Sequence, residues 1–343
     1  MTTKFLLLGT ALALVSGAAS AEMNFNRIAS FPVASNMAEG EDGSRETSAE
    51  IIDATADGLT LVYTDSPLGV VGRIDITDPA NPAPLGSVEM PGEPTSVAVI
   101  GGTAYIGVNT SASYTEPSGK IVAMNVASGE ITGDCDLGGQ PDSVAKATDG
   151  SFLSVAIENE RDEDAGDGGL PQMPAGELVM VDVADGALVC DSLRHVALTG
   201  LADVFGEDPE PEFVDINSLG ETVITLQENN HLVIVGRDGS IVNHFSAGSV
   251  DLEGIDATDE RGALIFTESQ PGRLREPDSV KWLDDGHFAV ANEGDWNGGS
   301  RSWTIFSKDG TVVHEAGASF EHALIQIGHY PDTRSDARGR ARA

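Results

Sequence analysis

The sequence predicts an all-β fold, a β-propeller of four-stranded antiparallel blades, and three observations carry that expectation. A short anchor string recurs along the chain: Glu93-Pro94-Thr95-Ser96-Val97, Gln140-Pro141-Asp142-Ser143-Val144, Glu210-Pro211-Glu212-Phe213-Val214 and Glu276-Pro277-Asp278-Ser279-Val280, with a weaker copy around Glu50. Each anchor is followed by the same run of apolar, β-branched segments broken by Gly/Asp turns, as half-buried strands and tight hairpins require. The first steps between anchors are roughly 45 residues, the length of one blade.

Taken in order, residues 1–21 read as a secretory signal peptide: Lys4, an apolar run from Phe5 to Val15, then Ala19 and Ala21 as an A-x-A cleavage pattern. The propeller is expected over 22–330, with blades starting near 48, 93, 140, 210 and 276, and Phe25–Phe31 is the candidate strand for closing the ring. Residues 331–343 read as an irregular tail. Five blades are visible, and the count predicts an incomplete ring of a larger propeller with an exposed blade edge.

The chain carries 55 acidic and 19 basic residues, a formal net charge of −36. That sign repels nucleic acid and anionic lipid and favours cations. No stretch is long and apolar enough for a transmembrane segment. With the leader, this places the protein outside the cytoplasm: periplasmic, secreted or at the cell surface. Cys135 and Cys190 suit an oxidising compartment, and spacing leaves both a disulfide and two separate thiols open.

In a blade whose first strand is innermost, the anchors and the loop joining strands two and three lie on one face. The unusual segments gather there: the acidic insert AIENERDEDAGDGGLPQMPAG (156–176), the stretches 202–212 and 249–275, and the loop 293–301. Carboxylates crowded round one channel mouth repel each other unless some are protonated or a cation lies between them. The candidate metal ligands are Glu158, Asn159, Glu160, Asp162, Glu228, Glu293 and Asp295, with Ca²⁺ as the expected cofactor because it takes many oxygen donors in flexible geometry. Glu163, Asp164 and Asp167 read as a solvated loop, and Asp142, Glu212 and Asp278 as turn residues that start a strand. For Glu158, Glu228 and Glu293 a second reading also stands, that strand-end acids and amides accept backbone N–H bonds and tie neighbouring blades together.

Arg161, Arg275 and Arg301 fall on the same face and are candidates for gripping a phosphate, with ion pairing to neighbouring acids as the alternative. The seven histidines are scattered; only His322 and His329 would share a face, if their segment is helical. Trp282 and Trp303 read as blade-edge packing, and Trp296 as a residue that could stack on a sugar or anchor a partner. No zincin, α/β-hydrolase or P-loop motif is present.

The strings NRIASFPVASN, GEPTSVAV, LGGQPDSVA, AIENERDED, LQENNHLVIV, REPDSVKW, ANEGDW and SFEHALIQIGHYPDTRSDA together resemble the choice-of-anchor I family. Those are secreted or surface bacterial propellers akin to the mesenchyme-specific cell-surface glycoprotein group, often labelled alkaline phosphatase or esterase-like phytase. The resemblance implies a propeller and an extracytoplasmic location more firmly than a reaction. Family members continue past DTRSDA, so it also implies a shortened chain.

Two functions follow as expectations. One is a metal-dependent phosphoesterase acting on a phosphorylated small molecule. The other is a non-catalytic module with structural calcium that binds a surface protein or glycan.

Overall fold

Alternation of apolar and polar residues between Gly/Asp turns gives five four-stranded antiparallel sheets, each in simple up-and-down order. The structure, a computed structural model, describes residues 26–329 apart from 39, 163, 167, 258–264 and 295. The expected leader and tail, and the candidates Asp295, Glu163 and Asp167, lie outside the described residues.

Blade one holds β1 (Ile52–Ala54), β2 (Thr60–Asp65), β3 (Val70–Asp75) and β4 (Ala83–Glu89); blade two holds β5 (Glu93–Ile100), β6 (Thr103–Asn109), β7 (Gly119–Asn125) and β8 (Ile131–Asp136). Blade three is β9 (Pro141–Lys146), β10 (Phe152–Ile157), β11 (Glu177–Ala184) and β12 (Ala187–Ala197). Blade four is β13 (Pro211–Ile216), β14 (Thr222–Leu226), β15 (His231–Val235) and β16 (Ile241–Ser246). A separate hairpin, β17 (Ser249–Ile255) with β18 (Glu268–Leu274), precedes blade five: β19 (Pro277–Asp284), β20 (His287–Asn292), β21 (Trp303–Ser307) and β22 (Val312–Glu315). A helix, α1 (Ser319–Gln326), follows.

Apolar burial is the main force that packs the blades. One cluster joins blades one and two through Val62, Val71, Val97 and Ile106. The next joins two and three through Tyr105, Ile121, Leu153 and Val179. Phe152, Met180, Ile224 and Val233 join three and four, and Leu232, Ile234, Phe288 and Phe306 join four and five. Every one of these four clusters is shared by consecutive blades.

The anchor strings have a second task. Ser96 Oγ accepts the Val144 N–H of the next blade at 3.0 Å, and Ser143 Oγ accepts the Val214 N–H at 3.3 Å. Where Phe213 takes the serine position, Thr225 on β14 donates its hydroxyl to the Asp278 carbonyl instead. Blades two, three and four are thus each tied to the next by a side chain hydrogen-bonded to the backbone of its inner strand.

Two expectations change. Residues 26–32 form no strand. The segment is held instead to blade one, because Asn36 donates to Tyr63 Oη at 2.9 Å and to the Arg73 carbonyl at 3.0 Å, and accepts the Gly86 N–H. For the cysteines the open alternatives resolve: Cys135 on β8 and Cys190 on β12 form a disulfide, with Cα atoms 5.5 Å apart, that links the outer strands of blades two and three.

Candidate functional site

Strand order places the start of every blade's first strand, and the end of its second, around one opening. The residue that heads each inner strand is equivalent in the repeat: Glu50, Thr95, Asp142, Glu212 and Asp278. All five line a cavity of about 400 Å³. The ends of the second strands add Ser66, Asn109, Glu158, Glu228 and Glu293, and Glu93 and Glu160 complete nine carboxylates. Among the described lining residues the basic one is Arg161.

Asp142, Glu158 and Glu212 form the tightest group, each offering a carboxylate oxygen within 4.8 Å of the others. Burial pushes the Asp142 carboxyl up to about 8, assisted by the charges of Asp278, Glu160 and Glu50. Burial, with repulsion from the neighbouring acids, likewise holds Glu158 and Glu212 well above the usual carboxylate range. Asp278 rises to about 7, through burial and then its hydrogen bond with Glu293 and that group's charge. Glu93 is raised by burial and by Glu50 and Glu160. In the absence of a cation, protons supply the missing positive charge.

The anchor acids Asp142, Glu212 and Asp278 therefore do more than start a strand, contrary to the sequence reading. The residue after the proline points into the channel, and the repeat alignment carried that signal: acids fill this position in four of five blades.

Glu158 and Asn159 part company. Glu158 faces the cavity, whereas Asn159, in a left-handed conformation at φ 54°, accepts the Gln140 N–H at 2.9 Å and donates to the Ala175 carbonyl. Asn229 repeats this on blade four, accepting the Glu210 N–H at 3.0 Å. In each Glu-Asn pair the glutamate serves the channel and the asparagine serves the backbone, which removes Asn159 from the candidate ligands. Asp162 is also diverted: its carboxylate accepts the Asp164 N–H within the insert and does not line the cavity. Glu160 reaches the cavity and receives Gln140 Nε2 at 3.3 Å. Glu293 is held there by a chain reversal in which Gly294 at φ 80° lies against Gly299, with no space for a Cβ.

The three arginines do not converge. Arg161 is 6% exposed, and its Nη1 lies 3.0 Å from Glu210 Oε2 and 2.8 Å from Glu228 Oε1. Its guanidinium also sits over Trp296, 5.8 Å from the ring centroid, and Phe205 packs edge-on against the same ring at 5.1 Å. The sugar-stacking candidate is thus partly covered by the chain itself. Burial raises Glu210 to about 9, with Glu228 adding to the rise and Arg161 opposing it. Arg275 pairs with Glu315 at 2.9 Å and stacks on Phe306. Arg301 pairs with Glu321 of α1 at 2.6 Å. Neither lines the cavity, so for both the ion-pair alternative describes the geometry. The other tryptophans pack as blade elements: Trp282 donates Nε1 to the Asp215 carbonyl, and Trp303 stacks on His314.

Among the described residues no helix is long and apolar enough to cross a membrane. Comparison with solved structures finds a Bacteroides caccae protein of unknown function at 15% identity and TM-score 0.45, covering 79% of this chain and 81% of that one. U3-55K and the RRP9 WD40 repeats follow, each at 10% identity and TM-score 0.49 over 76% of this chain, which spans 62% and 61% of their lengths. Comparison with the curated proteins finds no match. The choice-of-anchor I domain pattern matches residues 50–298, from the first anchor acid into the loop between β20 and β21 of blade five. The chain belongs to the choice-of-anchor I domain family, whose members are exported, surface-type β-propeller domains.

Proposed function

We propose that the protein is a surface propeller that binds divalent cations, Ca²⁺ above all, in the carboxylate-lined mouth of its channel. The observation that carries this reading is the Asp142–Glu158–Glu212 group, drawn from two neighbouring blades with its oxygens inside 4.8 Å. Oxygens on opposite sides of one Ca²⁺ stand up to about 5 Å apart, and Ca²⁺ accepts six to eight such donors. Among the described lining residues there is no imidazole or thiolate, which disfavours zinc there. Besides Glu158, the ligands expected from sequence that line this cavity are Glu160, Glu228 and Glu293.

The cation is proposed to stabilise a binding module for a surface protein or glycan. Phosphate-ester hydrolysis is the second activity such an ion would supply, by polarising a phosphoryl oxygen and acidifying a water. Binding is favoured over hydrolysis because Arg161 is committed to Glu210 and Glu228, and Arg275 and Arg301 lie elsewhere.

The test is calorimetric titration of the metal-stripped chain with Ca²⁺, with melting temperature and turnover of a generic phosphomonoester followed in the same samples. Saturable binding with a raised melting point and no turnover is the expected result. Turnover that disappears in Glu158→Gln would move the assignment to a phosphoesterase, and no response to Ca²⁺ would overturn the ion site.

A further inference from the structure

Nine carboxylates are more than one ion needs. Ca²⁺ at Asp142, Glu158 and Glu212, together with the Arg161 guanidinium, brings three positive charges to the channel mouth. Three of the acids outside that group lie with Gln227 on the wall built by blades four and five. Gln227 and Glu228 directly follow β14, Asp278 lies on β19 and Glu293 directly follows β20. Gln227 is the unexplained member of this wall. It is 7% exposed and lines the cavity, yet among the described residues its carboxamide makes no hydrogen bond. A buried amide is costly to leave unmatched, so an unpaired one facing a cavity points to something that enters it.

Three observations narrow what that is. The cavity holds about 400 Å³, far more than one ion fills, since a water molecule takes about 30 Å³. No aliphatic or aromatic side chain is among the described lining residues, so the cavity suits a charged tip and not an apolar body. Finally, the same wall already holds a guanidinium: Arg161 Nη1 lies 3.0 Å from Glu210 Oε2 and 2.8 Å from Glu228 Oε1. An amide carbonyl beside carboxylates offers several acceptors at fixed positions. A guanidinium matches them with five donors in a rigid planar fork, and it is more weakly hydrated than an ammonium.

We propose that this wall is a subsite for an arginine side chain of a partner protein, which enters through the channel mouth and donates to Gln227 Oε1 and to the carboxylates of Asp278 and Glu293. The inference rests on the reading of the mouth as a cation-binding site and names the partner: a basic, arginine-bearing segment of a surface protein. Ca²⁺ and the arginine bind side by side. The ion's carboxylates come from blades three and four, and the acids of the subsite come from blade five. The formal charge of −36 draws a basic segment toward the chain, and the guanidinium fork then selects arginine over lysine.

The probe is a fluorescent tetra-arginine peptide with blocked ends, compared with tetra-lysine of the same charge. Both are titrated by anisotropy against the full chain at pH 8, metal-stripped and then Ca²⁺-saturated. Saturable binding is expected in both states, with tetra-arginine at least about fivefold tighter than tetra-lysine. Gln227→Leu, its fold checked by its melt, should lower the tetra-arginine affinity about tenfold and leave the Ca²⁺ affinity within about twofold. Equal affinity for the two peptides, or tetra-arginine binding that Gln227→Leu leaves unaltered, would overturn the subsite even where Ca²⁺ binds. The peptide comparison uses the unaltered chain, so it decides the matter should Gln227→Leu fail to fold. An arginine preference without any Ca²⁺ response would support the subsite and overturn the ion site alone.

Discussion

Arg161 Nη1 lies 2.8 Å from Glu228 Oε1, joining an insert of blade three to the second strand of blade four across 67 positions of sequence. Arg161 is the one basic residue of the acid- and glycine-rich insert 156–176. Both partners are almost fully buried, so the pair is held in a low-dielectric setting. Removing one member leaves the other's charge uncompensated. Arg161→Met is expected to destabilise the chain by roughly 3–5 kcal/mol, read by urea unfolding at pH 7.5. A change within about 0.5 kcal/mol would show that the insert is not anchored here.

Cation binding should strengthen with pH. Free carboxyls titrate near 4, whereas folded Asp278 holds its proton to about 7 and Asp142 to about 8. Between these limits the folded chain binds more protons than the unfolded one, so the metal-free protein loses stability as pH rises from about 4 to about 8. Ca²⁺ must displace those protons. Calorimetry in two buffers of different ionisation enthalpy should reveal proton release at pH 6.5 that fades by pH 9, with tighter binding at the higher pH. Equal proton release at both pH values, or none at pH 6.5, would contradict the coupling.

Glu212→Gln should separate stability from binding. It removes a carboxyl whose ionisation beside Asp142 and Glu158 is opposed by burial and by its neighbours' charges, so the metal-free melting temperature should hold or rise while Ca²⁺ affinity falls by about tenfold or more. A fall in both would mean that Glu212 serves packing, not the ion.

The anchor serines can be told apart by their partners. Ser143 is 2% exposed and receives the Val214 N–H. Ser143→Ala leaves that donor buried without its acceptor and is expected to cost about 1–3 kcal/mol. Ser279, whose hydroxyl lies 3.4 Å from the Asp278 carboxylate and is part-exposed, should tolerate the same change within about 0.5 kcal/mol. Denaturant midpoints of the two variants measure the difference.

Cys135 and Cys190 are separated by 55 positions. Closing a loop of that length restricts the unfolded chain by roughly 4 kcal/mol. The double serine variant should unfold correspondingly earlier in guanidinium, with Ca²⁺ affinity unchanged because neither cysteine lines the cavity.

The propeller was legible because turn chemistry and strand alternation repeat with the anchors, and because burial makes that pattern obligatory. Glu158, Glu228 and Glu293 could be read as channel residues from their shared place at the ends of second strands. Asp142, Glu212 and Asp278 were taken for turn residues, since proline followed by an acid is a local signature that hides where the side chain points once strand one becomes innermost. Arg275 and Arg301 fall on the channel-mouth face in sequence, but face assignment has no depth: both bury their charge against Glu315 and Glu321. His231 Nε2 and His244 Nδ1 meet at 3.0 Å across β15 and β16, a contact that depends on cross-strand register, which spacing along the chain does not state.

The nine acids round the channel mouth also act beyond contact distance. Like charges gathered in a concavity with low-dielectric walls concentrate the field in front of it, so cations are drawn toward the opening before any ligand touches them. Capture should therefore be fast in dilute buffer and slow steeply as added salt screens the field over about 8–10 Å. In a saline environment the ring would choose its ion by charge density: monovalent ions would crowd the entrance, and only a multivalent one would gain enough from the inner carboxylates to displace their protons and stay.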